Sequence, residues 1–284
     1  MRGRSKALLG QTGRYRSKRT QKKAADDRKA KFIAAALGVG LVFVGWGVFN
    51  TRAPATHALT HCRVDGVIPS HTVLLIDATD KLPSVVLSRL RSAVERLEDR
   101  MGVYDKITIL TVEGGDASSP VQELFSVCNP GRGKDVSWLT DNPEWAEEDW
   151  QADFSGPLEA QLAALGALKQ ANSTPLLEAL FLVGQRSDFQ TSDAGAGVGR
   201  RELIVVSDFL HHTAEHSHYR GAAPFGDAMS SAYLRSMMPR LDGVELDTVF
   251  VPRPEVASLQ NTAHRAFWRD YFRMAGTSAD AFEG

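Results

Sequence analysis

Residues 72–97, TVLLIDATDKLPSVVLSRLRSAVERL, change their hydrophobic period once, and that change decides the fold. From Thr72 to Ile76 the chain is apolar and β-branched without alternation, as a strand must be when both of its faces are covered. The run stops at Asp77. Pro83 then suits the first turn of a helix, and Val86, Leu87, Leu90, Val94 and Leu97 recur at helical spacing, with Arg and Glu on the opposite face. A buried strand followed by an amphipathic helix is the first half of a parallel crossover.

Downstream the alternation continues. Residues 106–112 (KITILTV) and 121–128 (VQELFSVC) read as strands, and the Gly/Ser/Pro turn material between them predicts a hairpin-like pair. Helical patterns follow around 158–169 and 175–185, then a Gly/Ser/Asp loop over 187–199. A buried strand at 203–206 (LIVV) ends in Ser207-Asp208. After it come a helix around 227–241, a strand at 244–251 and a last helix around 259–274, whose Phe267, Trp268, Tyr271 and Phe272 read as core contacts. This order predicts an α/β fold over residues 71–275, a doubly wound, mostly parallel sheet with one antiparallel edge strand. Residues 131–156 are polar and acidic and hold Trp138, Trp145 and Trp150, an insertion that either pins itself to the core or offers a partner surface. Residues 276–284 form a tail, and there is no internal repeat.

Upstream the composition is different. The net charge of −1 averages a basic arm, residues 1–31, with twelve Lys and Arg against Asp26 and Asp27, and a remainder carrying −11. Residues 32–49 (FIAAALGVGLVFVGWGVF) contain no charge, amide or proline; as a helix they span roughly 27 Å, close to the thickness of a bilayer core. A transmembrane helix over residues 32–50 and a linker over 51–70 are therefore expected. The cations on its N-terminal side place the arm in the cytoplasm and the body outside, in the periplasm if the membrane is a bacterial inner membrane. A cleaved signal peptide ending near Ala53-Pro54-Ala55 fits less well, because the arm and the apolar run are both too long. The spacings Ala34-xxx-Gly38 and Ala36-xxx-Gly40 allow close approach of a second membrane helix. The arm reads as a topology signal with a solvated, disordered tail rather than as a nucleic-acid or lipid ligand. Globular composition and two cysteines exclude a disordered chain, a collagen-like repeat and a disulfide-dense scaffold.

Functional groups of open α/β sheets gather beyond the carboxyl ends of the strands. Asp77 and Asp208 end two strands at that edge, and Asn172-Ser173-Thr174-Pro175 puts a hydroxyl at the start of a helix. Taken together, these features resemble the von Willebrand factor type A domain and its metal-ion-dependent adhesion site. The family's Asp-x-Ser-x-Ser motif maps onto Asp77 and Thr79, its later threonine onto Thr174 in STPLLEAL, and its distant aspartate onto Asp208 in LIVVSDF. The resemblance spans roughly residues 70–275 and implies a Rossmann-like sheet, Mg²⁺ or Mn²⁺ held by Asp77, Thr79, Thr174 and Asp208, and a protein partner offering a carboxylate to the metal. Lys81 stands where the motif's second serine belongs, and a protonated lysine cannot ligate a cation. Asp80 offers compensation for the lost ligand, and Lys81 itself is a candidate to neutralise the aspartates in the metal's place.

His211, His212, His216 and His218 lie on one loop at the same edge. The segment reads as a solvated loop, with a transition-metal site or an acid sensor as the alternatives, and the spacing lacks the HExxH form of a zinc hydrolase. Cys62 and Cys128 are free to pair in an oxidising compartment or to be buried separately. Residues 129–135 (NPGRGKD) lack the spacing of a phosphate-binding loop, and a haloacid-dehalogenase-type phosphatase would need aspartate where Thr79 stands. No Gly-x-Ser-x-Gly elbow for a serine hydrolase exists. The reading that remains is a single-pass membrane protein displaying a recognition domain, not an enzyme. Its alternatives are an exported metal-dependent hydrolase using Asp77, Asp208 and the histidine loop, and a metal-independent structural subunit of a membrane complex.

Overall fold

The computed structural model describes residues 18–50, 53–114, 119–136, 142–167, 171–190, 197–221 and 223–277. The chain divides into two compact units, Met1–Ala53 and Pro54–Gly284. In the first, helix α1 (Lys18–Asn50) carries the segment Asp26–Trp46, 21 residues long and apolar enough to cross a membrane, with none of it buried. Phe32, Leu41 and Val42 are among its exposed side chains. The helix starts at Lys18, inside the arm that composition reads as a disordered tail. Lys, Arg, Gln and Ala are good helix formers, and a helix nucleated in the apolar run extends back through them at little cost. Residues 1–17 of the arm lie outside the described residues.

The second unit is built on five strands: β1 (Ile68–Asp77), β2 (Lys106–Val112), β3 (Val121–Cys128), β4 (Val198–Ser207) and β5 (Glu245–Phe250). Their order across the sheet is β3-β2-β1-β4-β5. β1 runs parallel to both β2 and β4, and β4 parallel to β5, while β3 returns antiparallel to β2 at one edge. Leu75 faces Leu110 on one side and Val205 on the other, so the TVLLI run lies at the centre of the sheet.

Alternate residues of the central strands serve opposite faces. Leu74, Ile76, Ile107, Ile109, Ile204 and Val206 pack against α2 (Ser84–Arg100), α3 (Pro143–Trp150) and α4 (Gly156–Ala164). Val73, Leu75, Leu110, Leu203 and Val205 pack against α5 (Leu176–Gln185), α6 (Phe225–Ala228), α7 (Ala232–Ser236) and α8 (Thr262–Met274). Both faces are covered, which makes the sheet doubly wound. In α2, Val86, Leu90, Val94 and Leu97 are buried as their spacing predicts, whereas Leu87 is only partly so.

Several elements differ from the sequence expectation. β1 and β4 each begin earlier than their apolar runs, because polar residues at their starts are satisfied laterally: His71 Nδ1 meets the Asp188 carbonyl and Nε2 the Thr108 hydroxyl, both at 2.8 Å, Arg100 meets Glu202 at 2.7 Å, and Arg200 meets Glu245 at 3.0 Å. The helix expected over 227–241 breaks into α6 and α7. Ser230 and Ser231 interrupt it, Arg235 takes up the freed carbonyls of Met229 and Ser230 at 2.7 and 2.6 Å, and Pro239 prevents its continuation. α8 begins at Thr262 because the Asn261 side chain caps it, accepting from the His264 N–H at 3.1 Å.

Residues 143–164 form one helical run that begins inside the acidic insertion and continues past its expected end at 156, with a π turn at Gln151–Ser155 joining α3 to α4. The cause is Pro157, which has no N–H for the carbonyl four residues back; the widened turn absorbs that gap. Trp150 is buried, with its indole N–H on Asn129 Oδ1 at 3.0 Å and the Arg132 guanidinium 4.0 Å above its ring. Trp145 is exposed, and Trp138 lies outside the described residues. Before β1, a disulfide joins Cys62 to Cys128, and the Cys128 N–H donates to Thr60 O at 2.8 Å. Part of the segment read as linker is thereby fastened to the sheet.

Candidate functional site

The carboxyl ends of β1 and β4 bring together residues far apart in sequence. Asp77 is the last residue of β1, Asp208 follows β4, Thr79 lies two residues beyond Asp77, and Thr174 precedes α5. Asp77 Oδ1 accepts from the Thr79 hydroxyl at 2.7 Å and the Thr79 N–H at 3.2 Å, and Oδ2 accepts from the Ser207 hydroxyl at 2.7 Å. The Thr79 and Thr174 hydroxyls are 2.8 Å apart. Thr174 is held by the histidine loop through a reciprocal backbone pair with His212, at 2.8 and 3.0 Å. Burial and the nearby Asp208 charge push the Asp77 carboxyl up to about 6, against the pull of its hydroxyl donors.

Asp208 has a different partner. Its Oδ1 accepts from the Leu210 N–H at 2.8 Å, and Oδ2 accepts from Arg253 Nε at 2.9 Å. Arg253 Nη1 donates to the Lys81 carbonyl at 3.0 Å, and Nη2 lies 3.7 Å from Asp80. Burial opposes the guanidinium charge, but the hydrogen bond to Asp208 and the charges of Asp208, Asp80 and Asp77 hold the pKa above its ordinary value. The cation of this edge is therefore Arg253, and Lys81, whose side chain is exposed, contributes its carbonyl. That corrects the expectation that Lys81 neutralises the aspartates. The signal for Arg253 was in the sequence, an arginine between Pro252 and Pro254 just after a strand, but nothing local tied it to Asp208.

Measured against a divalent cation, this arrangement does not fit. Asp208 Oδ2 accepts a guanidinium N–H, both Asp77 oxygens accept hydroxyls, and Lys81, at the position expected to match the motif's second serine, offers no side-chain oxygen. Among the described residues, no group of three or more His, Cys, Asp or Glu side chains is placed to hold a metal ion.

The backbone at this edge is strained. Phe209 has φ 61°, a left-handed conformation that bulky residues avoid. It is held by its N–H on Ser207 Oγ at 2.8 Å and by its carbonyl, which accepts from His264 Nε2 and Trp268 Nε1, both at 2.8 Å. The strain turns the chain sharply after β4 and keeps Asp208 at the edge while Phe209 enters the core.

The histidine loop is not solvated. His211 and His218 are buried, and His216 stacks on Phe267 with centroids 5.8 Å apart. The rings of His218 and His264 are 4.9 Å apart, and His218 also lies 4.9 Å from Phe267. The correction has a physical reason: neutral imidazoles pack as aromatics once α8 supplies a matching surface. His211 Nδ1 accepts from the Leu177 N–H at 3.3 Å, satisfying a free donor in the first turn of α5. Burial pushes His211 down to about 3, assisted by His216 and His212, and drives His218 and His264 below the ordinary value as well. His212, less buried, accepts or donates through Nδ1 to the Ser217 hydroxyl at 2.7 Å.

These features define an open, doubly wound α/β domain whose carboxyl edge is polar and charge-paired. No protein-family model matches the sequence, and comparison with curated proteins gives no match. Among solved structures, an aerotolerance-related membrane protein of Bacteroides fragilis NCTC 9343, carrying multiple mutations to serine, superposes with a TM-score of 0.34 at 15% identity. That alignment covers 66% of this chain and 69% of the other. A von Willebrand factor type A protein of Catenulispora acidiphila superposes with a TM-score of 0.34 at 11% identity, over 70% of this chain and 43% of its own. Scores this low carry no argument, and the fold class rests on the strand order and covered faces described above.

Proposed function

We propose that this chain is a single-pass membrane protein, with its N-terminus in the cytoplasm, that displays a von Willebrand factor A-like domain outside a bacterial inner membrane for protein recognition or assembly. The observation that carries the reading is the meeting of Asp77, Thr79, Thr174 and Asp208 at one sheet edge, in the element order of an adhesion-type site. Two further features support it. α1 presents a continuous exposed apolar surface, and the Cys62–Cys128 disulfide suits an oxidising compartment. Of the two ways such an edge can engage a partner, through a bound Mg²⁺ or through its own side chains, the Arg253 contact favours the second. That observation also brings the metal-independent subunit of a membrane complex within the same reading.

A photo-crosslinking residue placed at Asp80 or Lys81 in the full chain, in membranes, tests the reading. A discrete adduct from these positions, and none from Glu148 on the insertion helix, is the expected result. Equal adducts at both places, or none at the edge, would sink it.

A further inference from the structure

Three carboxylates, Asp77, Asp80 and Asp208, gather at the carboxyl edge, and the chain brings its own cation to them. We propose that the Arg253 guanidinium is a built-in counter-ion that takes the place of a divalent metal at this edge, so that the domain engages its partner without a metal ion. The inference deepens the recognition reading and rests on it for what the edge does.

Geometry comes first. A cation ligated by Asp208 at this edge would have to use the oxygen that accepts Arg253 Nε–H at 2.9 Å, and would sit beside a like charge. The guanidinium is a planar fork, and each of its nitrogens has an oxygen in front of it: Asp208 Oδ2, the Lys81 carbonyl at 3.0 Å and, more distantly, Asp80 at 3.7 Å. The Asp77 carboxylate is occupied independently by the Thr79 and Ser207 hydroxyls.

The arginine is also held in place. The Arg253 N–H donates to Gln260 Oε1 at 2.7 Å, and Gln260 Nε2 donates to Asp208 O at 3.1 Å and to Val251 O at 3.0 Å. One amide side chain thus ties the arginine's loop to the backbone of the aspartate it neutralises. Pro252 and Pro254 restrict the backbone on either side. The Arg253 side chain is only 12% exposed, far from the exposure of a wandering surface arginine.

Lys81 takes part in the same arrangement through its backbone. Where the adhesion motif would place a hydroxyl ligand, this chain has a residue whose backbone carbonyl receives Arg253 Nη1.

The test uses the full chain in detergent, melted with EDTA and with millimolar Mg²⁺ or Mn²⁺. The expected result is a melting temperature that does not respond to metal in the wild type or in Lys81→Ser. Arg253→Gln, and more so Arg253→Gln combined with Lys81→Ser, should gain a Mn²⁺-dependent rise of several degrees, while Arg253→Lys should not. A metal-dependent rise in the wild type that Asp208→Asn abolishes overturns the inference, as does a folded Arg253→Gln that gains no response. Should Arg253→Gln fail to fold, Lys81→Ser still decides: a Mn²⁺ response with Arg253 in place shows that the guanidinium does not exclude metal. Such a response together with intact edge cross-linking would remove the counter-ion and leave the recognition reading. A metal-blind melt without edge cross-linking would do the reverse.

Discussion

His211, His218 and His264 are buried imidazoles that the fold holds neutral, His211 at about 3, because burial penalises their charged forms. Their folded pKa values lie below the unfolded value of about 6.5, so the native state binds fewer protons than the unfolded state. Stability from these groups is complete above pH about 6.5 and falls as the pH drops toward the folded values, at up to about 1.4 kcal/mol per pH unit for each excluded proton. Asp77 opposes this trend: raised to about 6, it favours the fold increasingly as the pH falls from there to the unfolded carboxylate value. His71, pushed down to about 4 by burial, and His216 act with the three imidazoles, while Glu98, Asp105 and Glu178, raised by burial, act with Asp77. The imidazoles begin to lose stability at a higher pH, near about 6.5, than the carboxyls begin to gain it. The melting temperature should therefore be lower at pH 5 than at pH 7.5, and the difference should shrink in His218→Leu, as differential scanning calorimetry would show. A His218→Leu profile with unchanged slope would mean that the cluster does not carry the acid sensitivity. Around the cluster lie Glu178, bonded to Tyr233 and raised by burial and by the charge of Glu215, and Arg220, whose charge lowers His216.

At the scale of elements, two fastenings hold segments that propensity alone would leave loose. The Cys62–Cys128 bond closes a separation of 66 residues and anchors the approach to β1 onto β3, an edge strand. Replacing both cysteines with serine should lower unfolding stability by about 2–5 kcal/mol in urea titration, with the sheet otherwise intact. The second fastening is Trp150. Trp150→Phe keeps a ring beside Arg132 and Phe154 but leaves Asn129 Oδ1 without the indole N–H, and should cost about 1–3 kcal/mol. Trp145→Ala, on an exposed position, should change stability by less than about 0.5 kcal/mol, and that contrast checks the assignment of the anchor. The acidic composition of residues 131–156 concealed this helix, because Glu144, Glu148 and Asp149 are exposed and Arg132 and Asn129, the polar partners of Glu147 and Trp150, lie 15 and 21 residues away in sequence.

For the molecule as a whole, the sharpest prediction concerns orientation. The basic residues before residue 32 are expected to keep the N-terminus in the cytoplasm. Replacing Lys22, Lys23, Arg28, Lys29 and Lys31 with glutamine should therefore reverse part of the population, read by a reporter at the C-terminus that is active on one side only. Full retention of the wild-type orientation in that variant would assign topology control to another part of the chain. Alkaline carbonate should leave the wild-type chain in the membrane pellet, since α1 alone presents enough apolar surface to span.

What the sequence determined by itself is what periodicity and local chemistry encode. The TVLLI run demanded a strand covered on both faces, the α2 spacing demanded an amphipathic helix, and 106–112 and 121–128 gave β2 and β3 with their bounds, because each signal is complete within one element. That Asp77 and Thr79 stand near each other was legible for the same reason, since they are two residues apart, but the hydrogen bond that joins them was not foreseen. Tertiary structure alone decided the rest. Arg253 reaches Asp208 across 45 residues and the Lys81 carbonyl across 172, contacts that no local pattern announces. The histidines looked solvated because imidazole is polar in isolation, and they are buried because α8 presents Phe267 and Trp268 to them. A side chain's partner depends on which elements fold together, so the chemistry of this edge, unlike its position, could be read only after the sheet had brought β1, β4 and the loop after β5 side by side.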